Sequence, residues 1–389
     1  MIERRLAPHL LQAAQSFPAV TLTGPRQSGK STLCKQLFPD KAYVNLEAPD
    51  VRAFALDDPR GFLAQYPDGA ILDEVQRAPD LPSYLQPMID ENPDPGRWIL
   101  TGSQNFALLE SVNQSLAGRS AVLHLLPLSY DELVKFPKAP KTLDEVLFTG
   151  GYPRIYDQKL SPSQWLASYV ATYIERDVRS ISNIGDLATF QRFVELCAGR
   201  TGQMINYSNL AGDTGISQPT AKAWMSILEA SYIVFLQPAY SSNLRKRLVK
   251  MPKLHFYDTG LACWLMGLRS SEQLATHPLK GSIFESWVVS EIVKHRVHAG
   301  EAAGLFYYRD KNGVEADLIL EHADHLIVGE VKSGQTVTSD LLSPVRRVAK
   351  ALGEKKTTSQ MLIFGGQDRQ QRTDVTMLPW QEIHNGPWL

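Results

Sequence analysis

Residues 24–31 read Gly24-Pro25-Arg26-Gln27-Ser28-Gly29-Lys30-Ser31, a G-x-x-x-x-G-K-S pattern that restricts the fold more than any other stretch of the chain. The apolar run Ala19-Val20-Thr21-Leu22-Thr23 precedes it, and Thr32-Leu33-Cys34-Lys35-Gln36-Leu37-Phe38 follows with the make-up of a helix. Strand, glycine loop and helix start in that order form a cradle for phosphate. The glycines let main-chain N–H groups close on phosphate oxygens, and the helix N-terminus adds a partial positive charge. Gly24 through Thr32 are therefore the expected contacts to ATP. Lys30 is expected to reach the β- and γ-phosphates, and Ser31 to hold Mg²⁺ through its hydroxyl. The bland alternative is a glycine turn ahead of an ordinary helix, which would not require the strand on one side and the helix on the other.

The 389 residues suggest two or three domains, at roughly 150 residues each. With 43% hydrophobic and 21% charged residues, the chain has an ordinary globular composition. A net charge of -1 gives no general attraction to a polyanion, so any nucleic-acid contact must come from a local patch. Cys34, Cys197 and Cys263 lie far apart and in no metal-ligand spacing, which fits a reducing compartment. Met1-Ile2-Glu3-Arg4-Arg5 lacks the apolar core of a signal peptide, and no run reaches the ~18 apolar residues of a membrane span. The expectation is a cytoplasmic protein without a membrane segment.

Three lobes are expected. Residues 1–135 alternate apolar strands (20–23, 43–46, 70–72, 98–101 and 121–126) with helical segments, the pattern of an α/β fold with a parallel sheet. The stretch Phe136-Pro137-Lys138-Ala139-Pro140 marks a break. Residues 136–255 read as mostly helical with a basic connector, and residues 256–389 as a second α/β lobe of helix, strand meander, helix and strand.

Ala70-Ile71-Leu72-Asp73-Glu74 is an apolar strand ending in two carboxylates. Some forty residues after a phosphate loop, Asp73 is expected to support Mg²⁺ with Ser31, and Glu74 to polarise the attacking water. Trp98–Ser103 reads as a third strand, with Ser103 or Asn105 placed to sense the γ-phosphate; a plain polar loop is the alternative. Arg119, in Leu116-Ala117-Gly118-Arg119, reads either as a finger reaching a neighbouring subunit's nucleotide or as a surface arginine.

Together, the phosphate loop, Leu-Asp-Glu-Val-Gln (72–76), Leu-Thr-Gly-Ser (100–103) and Leu-Ala-Gly-Arg (116–119) resemble AAA-type ATPases that carry a C-terminal DUF4143 region. The resemblance implies an ASCE/AAA-type parallel sheet and a homo-oligomer, six-membered by analogy. Gly150-Gly151-Tyr152-Pro153 and Ile174-Glu175-Arg176-Asp177-Val178 are similar to further signatures of that family; the second has no evident chemistry beyond an intra-helix charge cluster.

In the middle lobe, Asn206–Ala211 starts a short helix, Thr214-Gly215-Ile216 turns, and Ser217 can cap a second helix with Pro219 in its first turn. Ala221, Trp224, Met225 and Leu228 share one face of that helix. With 231–236 as a strand, the order is that of a winged helix. Arg245, Lys246, Arg247, Lys250 and Lys253 form a run that reads either as a wing tracking DNA phosphates or as a solvated face.

Near the C-terminus, strands 306–309 and 315–320 are joined through Asn312-Gly313, a hairpin signal. The strand Leu326–Lys332 is apolar until Glu330 and Lys332, which point the same way. Asp317, Glu330 and Lys332 make a D…E-x-K pattern resembling the PD-(D/E)xK nuclease fold. Two carboxylates on adjacent strands could bind Mg²⁺ while the lysine positions water; a buried salt bridge is the structural alternative. Glu285 falls in the middle of an apolar helical arc and reads equally as a third metal ligand or as the acid of a capping box with Ser282. His295, His298, His322 and His325 read as surface residues.

The combined expectation is an ATP-hydrolysing motor acting on branched or duplex DNA, with a C-terminal metal-dependent nuclease-like lobe that cuts or grips it. Glu74, Arg119, Asp317, Glu330 and Lys332 would be its catalytic residues, and Ser31, Asp73, Glu285, Asp317 and Glu330 its metal ligands. The alternative is an ATP-dependent signalling or defence switch whose C-terminal lobe is an inactive binding module.

Overall fold

The structure, a computed structural model, describes residues 2–103, 114–173, 186–241, 250–323, 325–353 and 356–389. The chain divides into two compact units. The first holds residues 1–128 with 230–232 and 297–300; the second holds 129–229, 233–296 and 301–389.

The first unit contains α1 (Ala7–Ser16), β1 (Ala19–Thr23), α2 (Lys30–Leu37), β2 (Ala42–Asn45), α3 (Pro49–Asp57), α4 (Pro59–Ala64), β3 (Ala70–Asp73), α5 (Leu81–Glu91), β4 (Trp98–Gly102) and β5 (Ser120–His124). Its five strands are parallel in the order β2-β3-β4-β1-β5, so β4 lies between β3 and β1. Alternate residues feed opposite faces of the sheet. Ala19, Leu72, Trp98 and Leu100 pack with Phe62, Leu85 and Ile89 on one side. Val20, Leu22, Ile71 and Ile99 pack with Leu6, Leu10 and Leu33 on the other. Burial on both faces explains the near-continuous apolar strands, each such side chain contributing about 1.5–3 kcal/mol.

In the second unit, α6 (Leu143–Thr149) and α7 (Leu187–Ala198) precede β6 (Gln203–Met204), α8 (Tyr207–Thr214), α9 (Gln218–Ala230), β7 (Val234–Gln237), β8 (Lys253–Phe256) and α10 (Thr259–Leu265). Asn206 caps α8 by accepting from the Ser208 and Asn209 amides, and Gly215 ends it at φ +83°. Ala221, Trp224, Met225 and Leu228 are all buried on α9, the face the spacing predicts. Strands β6, β8 and β7 form an antiparallel three-stranded sheet beside this helix pair. The strand expected from residue 231 starts at Val234, because Tyr232 takes φ +55° and the Ile233 amide still bonds the Leu228 carbonyl.

The long helix α11 (Lys280–His298) leads into β9 (Leu305–Arg309), β10 (Glu315–His322), β11 (His325–Lys332), α12 (Ser343–Gly353), β12 (Thr357–Phe364), β13 (Gln370–Gln371) and β14 (Val375–Pro379). The sheet order is β13-β14-β12-β11-β10-β9, with β9, β10 and β11 an antiparallel meander and β11, β12 and β14 parallel. The mixed α/β architecture is the one the sequence led us to expect. Helix α11 begins at Lys280, so Ser282 lies inside it and cannot be the N-cap that a capping box with Glu285 requires. His295 and His298 are buried, contrary to the surface reading; the Leu126 amide donates to His298 Nε2 at 3.1 Å.

Candidate functional site

The 24–31 segment is a loop of unusual backbone. Gly24 has φ +147°, and a Cβ there would collide with the Leu125 carbonyl; Gly29, at φ +97°, is the N-cap of α2. Both positions demand glycine. Lys30 is buried, and its Nζ donates to the Gly24 and Pro25 carbonyls at 2.9 and 2.8 Å. Burial lowers its pKa to about 8, against the opposing pull of Glu74 and Asp73. Ser28 is buried with no partner for its hydroxyl, Gln27 and Thr32 are exposed, and Arg26 pairs with Glu47 at 2.7 Å. Arg4, which the motif gives no hint of, braces the loop by donating to the Ser28 and Leu126 carbonyls at 2.7 and 2.9 Å.

Asp73, at the end of β3, gathers hydroxyls from three elements. Ser31 Oγ of α2 donates to its two oxygens at 2.9 and 3.1 Å, Tyr43 of β2 donates to Oδ2, and Thr101 of β4 donates to Oδ1. Burial first, then the bond to Asp73, raises the Tyr43 pKa. Tyr43 and Thr101 escaped the sequence reading; only the neighbouring positions of β2 and β4 on either side of β3 reveal them. Glu74 adopts left-handed φ +58° and accepts from Gln76 Nε2 and, at 3.1 Å, from Ser103 Oγ. A non-glycine residue in that region costs of order 1–3 kcal/mol. Asn105 lies outside the described residues.

Ser31 and Asp73 present hard oxygen donors side by side, the donor chemistry Mg²⁺ prefers. Such an ion would neutralise charge on the β- and γ-phosphates. Lys30 can hold the same phosphates, and Glu74 can accept a proton from water.

Behind the loop, Thr23 Oγ1 lies 2.6 Å from the Tyr232 hydroxyl and 2.7 Å from His124 Nδ1. Burial lowers the His124 pKa. Arg119 sits just ahead of β5 and makes a two-point bond to Asp90 of its own chain, at 2.6 and 2.9 Å.

In the second unit, Glu285 of α11, Asp317 of β10, and Glu330 and Lys332 of β11 come together, but with a partner the pattern did not name. Lys253 Nζ of β8 lies 2.7 Å from Glu285, 2.6 Å from Glu315 and 3.1 Å from Asp317. Asp317 Oδ2 accepts the Val331 amide at 3.0 Å, and Lys332 Nζ bonds Glu330 Oε1 at 2.6 Å. Burial lowers the Lys253 pKa, but Asp317, Glu285 and Glu315 outweigh that and raise it. Burial and the Asp317 charge push Glu285 and Glu330 up, against the pull of Lys253 and Lys332. Among the described residues, no group of three His, Cys, Asp or Glu side chains is arranged to hold a metal ion.

The basic run is therefore not a uniform wing. Lys253 is buried in this cluster, Lys250 donates to the Arg309 carbonyl, and Arg245, Lys246 and Arg247 lie outside the described residues. So does the 174–178 signature. The Gly150-Gly151 signature has a structural reason. Buried Asp258 caps α10 through the Leu261 amide at 2.8 Å and accepts the Gly151 amide at 2.6 Å, and a Cβ on Gly150, at φ +73°, would strike its carboxylate. No helix among the described residues is long and apolar enough to cross a membrane.

Residues 16–134 match the family described as AAA domain, 140–272 a domain of unknown function, DUF8612, and 280–383 another, DUF4143. Uncharacterized proteins of Mycobacterium bovis and Mycobacterium tuberculosis are each 27% identical over 388 residues, spanning 98% of this chain and 85% of the relative. Among solved structures, the Walker-type ATPase of Pyrococcus abyssi aligns with 68% of this chain and 96% of its own, at 16% identity and a TM-score of 0.44. The domain matches, with the phosphate loop, Asp73 and Glu74 in one site, identify an AAA-type P-loop ATPase domain in residues 16–134 and a DUF4143 region in residues 280–383.

Proposed function

We propose that this chain is an ATP-driven conformational switch, with Lys30 and Ser31 on the phosphates and Mg²⁺, Asp73 beside the ion and Glu74 as general base. The observation that carries the reading is the convergence of Ser31, Tyr43 and Thr101 on Asp73, with Glu74 held one residue away by Gln76 and Ser103. Neutral hydroxyls leave the negative charge of Asp73 for a cation to balance, and Ser31 Oγ can turn from donor to ligand.

The DNA-motor reading finds less support. Two of its five wing residues are committed within the protein, and α9 carries Lys222 as its one base. We assign the carboxylate cluster no cutting role, and treat the DUF4143 region as a binding module. The deciding measurement is ATP turnover with and without linear, forked and four-way DNA. The switch predicts unchanged turnover; a several-fold stimulation, absent in Lys30→Ala, would establish the motor instead.

A further inference from the structure

The E-x-K strand and its acidic partners imply a divalent metal, yet the space such an ion needs is taken. Lys253 is 4% exposed, and its ammonium stands 2.6–3.1 Å from three carboxylates. A Mg²⁺ ion demands about six oxygens at about 2.1 Å. An ion at that distance on the Lys253 side of the Glu285 and Asp317 oxygens would overlap the ammonium. Three further oxygens of the cluster are also engaged. Asp317 Oδ2 holds the Val331 amide, Glu315 Oε2 pairs with Arg309 at 3.2 Å, and Glu330 Oε1 holds Lys332. Glu330 Oε2, buried without a hydrogen-bond partner, is left for an ion.

Nor is Lys253 a flexible visitor. It is the first residue of β8, paired in register with Gln237 of β7 and Met204 of β6, and its Nζ lies 5.5 Å from the centroid of buried Tyr307. Its backbone is thus fixed in the three-stranded sheet, with the ammonium directed into the cluster.

We infer that Lys253 is the resident cation of this cluster, replacing a divalent metal, so that the DUF4143 region joins to the β6-β8-β7 sheet through an ionic cage and performs no metal-dependent cleavage. The inference is independent of ATP turnover and would survive the failure of the switch reading. The same cage would hold in a DNA motor that does not cut.

The test titrates Mn²⁺ into the nucleotide-free full-length protein and reads the free-ion electron paramagnetic resonance signal. Wild type and Asp317→Asn are expected to bind the same number of ions, and both to leave supercoiled plasmid intact in Mg²⁺ or Mn²⁺. A micromolar site, or plasmid cutting, that Asp317→Asn removes would overturn the inference. Lys253→Met, which leaves Glu285, Glu315 and Asp317 uncompensated, should gain at least tenfold in Mn²⁺ affinity, or melt lower and be restored by Mn²⁺. A Lys253→Met protein that neither gains metal nor loses stability would also overturn it. Should that variant fail to fold, the comparison of wild type with Asp317→Asn still decides.

Discussion

Two buried aspartates anchor the two units, and they are held by opposite chemistries. Asp73 is ringed by the hydroxyls of Ser31, Tyr43 and Thr101, whereas Asp317 is held by the ammonium of Lys253 and the Val331 amide. Hydroxyls are neutral, so these three donors set no positive charge against Asp73, and a cation can join it there. Asp317 already faces a cation, the Lys253 ammonium that it shares with Glu285 and Glu315. A pattern of acids in sequence therefore does not distinguish a metal site from a salt-bridge cage; the sign of what surrounds the acids does.

The comparison is most sharply broken at Glu74. Glu74→Gln should bind ATP normally while turnover falls about 10²–10⁴-fold, the usual worth of a general base. Turnover at the wild-type rate would remove Glu74 from the reaction. Next in size is stability. Lys253→Met should cost about 3–5 kcal/mol, because it strands buried carboxylates, whereas Thr101→Val should cost about 1 kcal/mol. Chemical denaturation of both variants measures the contrast, and equal losses would erase the distinction between the two aspartates.

A smaller effect concerns pH. Burial holds the Lys30 pKa near 8 in the nucleotide-free protein, and a bound phosphate favours the charged form. ATP affinity should be flat below pH 8 and fall by up to tenfold per unit above it, as binding then requires proton uptake. An affinity unchanged to pH 9.5 would mean that Lys30 does not meet the phosphates as an ammonium. The smallest expectation is for Arg119→Ala. Its bond to Asp90 is exposed, so the melting temperature should hold, and turnover should drop only if assembled subunits share the nucleotide site. Loss of turnover in a demonstrably monomeric sample would exclude a finger acting in trans.

What the sequence disclosed and what it withheld follow a physical rule. The phosphate loop, the Asp73-Glu74 strand end and the alternation of strand and helix are local, and each was legible in a window of a few residues. Partners that meet across the fold were not. Lys253 reads as one more base in a basic run, but it is committed to acids 32 and 64 positions away. Arg4 has no role in the sequence reading, and it braces the loop at Ser28. The double glycine at 150–151 makes sense only beside Asp258, 107 positions on from Gly151. His295 and His298 looked like surface residues because they fall near a helix end, yet α11 is packed on nearly every side.

Tyr232 and His298 have a consequence for biosynthesis. Both belong to the first unit, bonded to Thr23 and Leu126 respectively, yet they follow Leu128 by more than a hundred residues. A ribosome adding roughly 5–20 residues per second needs about ten to thirty seconds to travel from 128 to 300. For that interval the nascent ATPase sheet lacks two of its walls. Translation of this chain should thus leave its N-terminal third protease-sensitive until almost four-fifths of the polypeptide has emerged, and a fragment ending at 128 should be a poor substitute for the domain it resembles.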